Sequence, residues 1–174
     1  MRALGPGSVS SFLKVILDVV YFALWIALAA LALAVLAALL FSFNPDLFPR
    51  VMSTDAAQVA SKGPLLALML LAYAMSVAGV LVIFDRLRRI FMTLTAGDPF
   101  HPDNVNRLRL IGLMLAALEV GRYVIWGLGP LMPWIKRAQP NFNLTAWFSV
   151  LVVFVLAEVF REGARLRREA ELTI

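Results

Sequence analysis

Four long apolar segments, with basic residues crowded at one set of their ends, constrain this chain more than any other feature. A helix needs about 20 apolar residues to cross the hydrocarbon core of a bilayer. The apolar parts run over about 19–43, 64–84, 110–126 and 144–160, and the helices carrying them are expected over about 12–43, 64–93, 102–126 and 144–169. The punctuation between them is of the breaking kind: Asn44-Pro45 stops the first, Gly63-Pro64 opens the second, and Gly127, Gly129 and Pro130 end the third. Hydrophobic residues make up 61% of the chain and charged residues 16%, against about 45–50% and roughly 25% in soluble domains. Residues 1–174 are therefore expected to form one membrane domain, an all-α four-helix bundle whose last helix extends beyond the bilayer. The run Val19–Phe43 exceeds the roughly 7–15 apolar residues of a secretory leader, so it is read as an uncleaved span.

Orientation follows from Lys and Arg near the span ends. Eleven of the 16 lie on one side: Arg2 and Lys14 before the first span, Arg86, Arg88, Arg89, Arg107 and Arg109 around the middle loop, and Arg161, Arg165, Arg167 and Arg168 after the fourth. Four, Arg50, Lys62, Lys136 and Arg137, lie on the other, and Arg122 falls within a span. The excess predicts that both termini and the middle loop are cytoplasmic. Trp126, Trp134 and Trp147 would then lie at the outer interface, where indole rings are favoured. The net charge of +5 is expected to meet anionic lipid headgroups rather than nucleic acid. In the first span Ala23, Ala27, Ala30, Ala34 and Ala38 recur at helical spacing, a candidate face for close helix packing.

Glu119 and Arg122 stand inside the third apolar part, three residues apart and so on one helix face, with Gly112 and Ala116 on the same side as Glu119. Charges at bilayer depth cost about 2.5–3.5 kcal/mol each on insertion scales, so they should face the interior and pair. Two readings stand: a polar ligand site or proton relay, or a structural ion pair with Arg122 reaching outward. Asp18 and Glu158 lie near the inner ends of their spans, within reach of Arg86, Arg88 or Arg161, and are read as interfacial ion pairs.

The middle loop, Thr95-Ala-Gly97-Asp98-Pro99-Phe100-His101-Pro102-Asp103, reads as a turn at Gly97 and Pro99 followed by a helix start, with Pro102 first and Asp103 at the positive end of the dipole. Phe100 should pack the loop against the helix ends. Asp98, His101 and Asp103 do not make a metal site: this is the single histidine, and capping and turn formation account for all three. The tail carries Glu162 and Arg165 as an opposite-charge pair on a polar helix extension and ends in apolar Leu172-Thr173-Ile174. It is read either as a solvated extension or as a docking surface. No Gly-rich phosphate loop, His-Glu-x-x-His, nucleophile elbow or cysteine occurs. Neither an enzyme nor a bound cofactor is expected.

Two stretches carry a resemblance. One is Gly97-Asp-Pro-Phe-His-Pro-Asp-Asn-Val-Asn-Arg-Leu-Arg-Leu-Ile-Gly112; the other is Ala157-Glu-Val-Phe-Arg-Glu-Gly-Ala-Arg-Leu-Arg-Arg-Glu-Ala-Glu-Leu-Thr-Ile174. They resemble the bacterial four-span membrane family catalogued as domain of unknown function 2975. In that family a Gly-x-Pro-Phe loop leads through Asn and Arg-Leu-Arg into the third span, matched here by Gly97, Pro99, Phe100, Asn104, Arg107 and Arg109. Its closing motif is matched by Phe160, Gly163, Leu166, Leu172 and Thr173, with Glu171 where relatives often carry Asp. The resemblance implies a protein of the bacterial cytoplasmic membrane. Because some relatives are encoded beside a small helix-turn-helix regulator, it also implies a membrane partner that senses a signal or sequesters such a regulator.

The expected docking face is then the loop around Asp98–Arg109 together with the tail from Arg161 to Ile174, and the C-terminal motif takes in Glu158, Phe160, Arg161, Gly163, Leu166, Leu172 and Thr173. The alternative expectation is a small-molecule or proton pathway using Glu119 and Arg122, and oligomerisation is compatible with either.

Overall fold

A computed structural model describes residues 9–43, 63–127 and 142–172. They form four α-helices, α1 Val9–Phe43, α2 Gly63–Thr95, α3 Pro102–Gly127 and α4 Leu144–Leu172, with no strand among the described residues. Most of the α1–α2 and α3–α4 connections lies outside the described residues, with Arg50, Lys62, Trp134, Lys136 and Arg137. Thr173 and Ile174 do as well.

Three helices are long and apolar enough to cross a membrane: α1 over Phe12–Phe43, α2 over Gly63–Thr95 and α4 over Leu144–Ala170. The third expected span, α3, is not among them. Glu119 and Arg122 interrupt its apolar stretch, and Asp103, Arg107 and Arg109 occupy its first turns. The exterior of the apolar helices matches a lipid solvent. Only 6% of the most apolar window of α1 is buried within the protein, and Phe22, Ile26, Leu33, Leu36 and Leu40 all face outward. Contiguous apolar surface on this scale is not found on soluble monomers. These three helices mark a membrane protein.

The chain packs as two compact units, Met1–Phe22 with Gly79–Ile174, and Ala23–Ala78. In the first unit the core forms where three helical stripes meet: Ile83 and Ile90 from α2, Leu108, Ile111 and Leu115 from α3, and Val153, Ala157 and Phe160 from α4. Their spacings of three, four and seven keep each set on one face. Small residues set the approach distances. A Cβ on Gly112 would lie 3.1 Å from the Phe154 ring, and one on Gly79 would lie 3.0 Å from Leu118. In the second unit Gly63 lies against the end of α1, where an added Cβ would come within 2.7 Å of Ser42 Cβ.

Most of the alanine stripe of α1 is not buried within the chain. Ala23, Ala27 and Ala30 are exposed and Ala34 is half-buried; of the five, Ala38 is buried. The less exposed side of that helix instead carries Leu24, Leu28 and Leu31.

Candidate functional site

The polar chemistry of the first unit concentrates where α2 ends and α3 begins. Gly97 has φ +82°, the left-handed conformation that a residue with Cβ adopts only at a cost. That conformation turns the chain so that Asp98 N–H donates to Thr93 O at 3.0 Å and Gly97 N–H to Leu94 O at 3.1 Å, the double closure of a Schellman cap. Pro99 follows and prevents the helix from resuming. Helix α3 then opens at Pro102, whose missing N–H costs nothing in the first turn. His101 Nδ1 accepts from Asp103 N–H at 3.2 Å, so the single histidine caps a helix.

Asn104 is the hub of this corner. It is a fully buried polar residue, with 0% exposure. Its Nδ2 donates to Thr93 Oγ1 at 2.7 Å and to Pro99 O at 3.1 Å, and its Oδ1 accepts from Arg107 Nη1 at 3.0 Å. Thr93 Oγ1 passes its own hydrogen to Ile90 O at 2.7 Å. Arg107 Nη1 also reaches Arg89 O at 3.1 Å, a carbonyl of α2. One amide therefore joins the end of α2, the turn and the start of α3. A buried polar group is tolerated when its donors and acceptors are satisfied in this way.

The same turn docks on α4. Asp98 forms an ion pair with Arg167. The Phe100 ring packs 5.7 Å from that of Phe160, tilted by 55°. Gly163 leaves the notch for it: a Cβ there would lie 2.5 Å from both Cδ1 and Cε1 of Phe100. Phe160, Gly163 and Arg167 recur at three- and four-residue spacing, so one face of the α4 extension receives the loop. Arg109 and Glu158 add a longer pair at 3.9 Å, which at half-exposed positions contributes little. Replacing Gly163 by alanine is expected to push the ring out of its notch and lower stability by about 1–2 kcal/mol. Amide exchange over 164–172 should rise along with it, and unchanged exchange there would show that the loop does not hold the tail.

Glu119 and Arg122 form an intrahelical pair, Arg122 Nη2 to Glu119 Oε1 at 2.5 Å. Glu119 is buried, at 7% exposure, on the packed side of α3 with Gly112. The Arg122 side chain is about half exposed and lies over the Tyr123 ring at 5.1 Å. Asp18 pairs with Arg88 at 2.6 Å, and Arg88 also lies 4.4 Å over the Tyr21 ring. Glu158 pairs with Arg161, and Arg165 with Glu162 at 2.7 Å. Leu166 and Leu172 are exposed. No group of three potential metal ligands occurs among the described residues.

The two motif stretches thus meet through Asp98, Phe100, Phe160, Gly163 and Arg167, while Glu119 and Arg122 stay apart from them on α3. Thr93 and Arg167 also belong to this arrangement; in the sequence Arg167 counts only as one of the basic residues of the tail. Thr93 gives no signal of its own, since its partner lies in another helix.

No curated protein and no solved structure is significantly similar to the chain. A family match spans residues 50–174, from before α2 to the end of the tail, and so takes in the capped turn, the asparagine hub and the α4 face that receives Phe100. By that match the chain belongs to the family described as Protein of unknown function (DUF2975).

Proposed function

We propose that this is a non-enzymatic multi-pass protein of the bacterial cytoplasmic membrane with both termini inside. Its joined loop and tail form a cytoplasmic docking face for a small helix-turn-helix regulator, which it holds or releases in response to a signal. One observation carries the reading: the two motif stretches build a single rigid corner, through Asn104 within the loop and through Phe100 in the Gly163 notch between loop and tail. A surface ordered in advance loses less entropy on binding a partner. The α4 extension presents Leu166 and Leu172 beside Arg161 and Arg165 on such a scaffold. The placement of eleven of the 16 basic residues supports the orientation. Crossing by α3 is supported by the Glu119–Arg122 pair, which cancels its two intramembrane charges. A closed pair within one helix also favours a structural role for these two residues over a transport pathway.

Affinity purification of the full chain in mild detergent, with mass spectrometry, is expected to recover a small DNA-binding protein in near-stoichiometric amount. Deleting residues 170–174 leaves Phe160, Gly163 and Arg167 in place; it should abolish recovery of the partner without affecting membrane insertion. Recovery of the chain with lipid alone, or unchanged capture by the truncated protein, would overturn the docking reading.

A further inference from the structure

A second charged site lies where the start of α1 meets the end of α2. The cleft there is lined by Lys14, Leu17, Asp18, Arg88, Phe91, Met92 and Thr95. Its floor and walls are apolar through Leu17, Phe91 and Met92, and its polar groups are two cations, one carboxylate and the Thr95 hydroxyl, which donates within its own helix. Arg88 is held in place from two directions, by Asp18 at 2.6 Å and by the Tyr21 ring at 4.4 Å. Asp18 is therefore committed to Arg88, and no described carboxylate pairs with Lys14, which leaves the cleft one positive charge in excess.

Its position along the helices selects the ligand. Lys14 precedes the apolar part of α1, which starts at Val19, and Arg88 follows the last apolar residues of α2 before Asp85. Both cations thus lie at headgroup depth of two helices that are apolar enough to span a membrane. Exposed apolar side chains at the same helix ends, Phe12 and Val15 on α1 and Met92 on α2, offer a surface for glycerol and acyl carbons. We propose that this cleft binds the headgroup of an anionic phospholipid, with the phosphate diester at Lys14 and Arg88. The inference needs α1 and α2 to span the bilayer, but not a particular orientation or a protein partner.

The full chain, purified in mild detergent, would be offered equal amounts of phosphatidylglycerol and phosphatidylcholine and read by native mass spectrometry. Retention of phosphatidylglycerol is expected to exceed that of phosphatidylcholine by about fivefold, the scale of one basic residue at a charged surface. Lys14→Gln should remove the preference, Lys14→Arg should keep it, and Arg168→Gln, outside the cleft, should leave it unchanged. Lys14 is exposed, and circular dichroism should confirm that each variant is as helical as the parent. Equal retention of both lipids, or a Lys14→Gln protein that behaves like the parent, defeats the proposal. Displacement of the lipid by excess inorganic phosphate also defeats it, because the site would then recognise free phosphate.

Discussion

Replacing Asn104 by leucine is expected to lower stability by about 3 kcal/mol or more. The leucine side chain is similar in size, so the loss comes from hydrogen bonding. Pro99 O and the donor of Arg107 both lose a partner, and Thr93 Oγ1 loses the donor at 2.7 Å. Each buried group left unsatisfied costs about 1–3 kcal/mol. Arg107 keeps its bond to Arg89 O, and Thr93 keeps Ile90 O, so the total stays below the sum of independent losses. Thermal unfolding in detergent checks it, with a midpoint expected about 10 °C lower for a chain of this size. Asn104→Asp separates the two halves of the argument. It keeps the oxygen facing Arg107 and replaces the donor facing Pro99 O by a second acceptor, so it too should destabilise. Midpoints within a degree or two of the parent for both variants would mean that the hub does not hold the corner together.

Residues that act locally were legible in the sequence. Breakers next to apolar runs locate the helix ends: Gly63-Pro64 stands at the start of α2, and Pro102 at the start of α3. Gly97 as a turn and Phe100 as the residue that folds the loop back on the helix ends both follow from residue type and position, and both are found. What the sequence could not provide is the partner across space. Asn104 appears in it as a motif letter, and its burial depends on Thr93, eleven residues earlier in another helix. Asp98 has several basic residues within reach in sequence, and folding alone selects Arg167. The alanine stripe, mostly unburied within the chain, shows the converse. Periodicity says which residues share a face, but not which face turns inward, and in an apolar helix every face is a candidate.

The same limit applies to polarity. In a soluble helix the charges mark the outside, whereas here the exterior of the spans is apolar and a buried charge marks the inside. Glu119, buried beside Gly112 on the packed side of α3, identifies the inward face of that helix better than its hydrophobic residues do. Arg122, three residues on, has one side at that face and the other in the open. The pair is therefore unequal, and the inequality can be measured.

Removing Arg122 should cost more than removing the charge of Glu119. Arg122→Gln leaves a carboxylate that is 7% exposed without its partner at 2.5 Å. A fully buried pair broken in this way loses about 3–5 kcal/mol; with Arg122 half exposed, the loss is expected to be smaller but still the larger of the two. Glu119→Gln leaves a guanidinium that still reaches solvent or headgroups and the Tyr123 ring, so its cost should be the smaller. In the double variant Glu119→Gln/Arg122→Gln the orphaned charge is gone, and stability should return to within about 1 kcal/mol of the Glu119→Gln protein. Unfolding of all four proteins in one detergent closes the cycle. If the two single variants lose equal amounts, Glu119 does not depend on Arg122 as the pairing requires. If Glu119→Gln is the costlier of the two, the buried carboxylate serves a second group, and the structural reading of the pair gives way to a binding one.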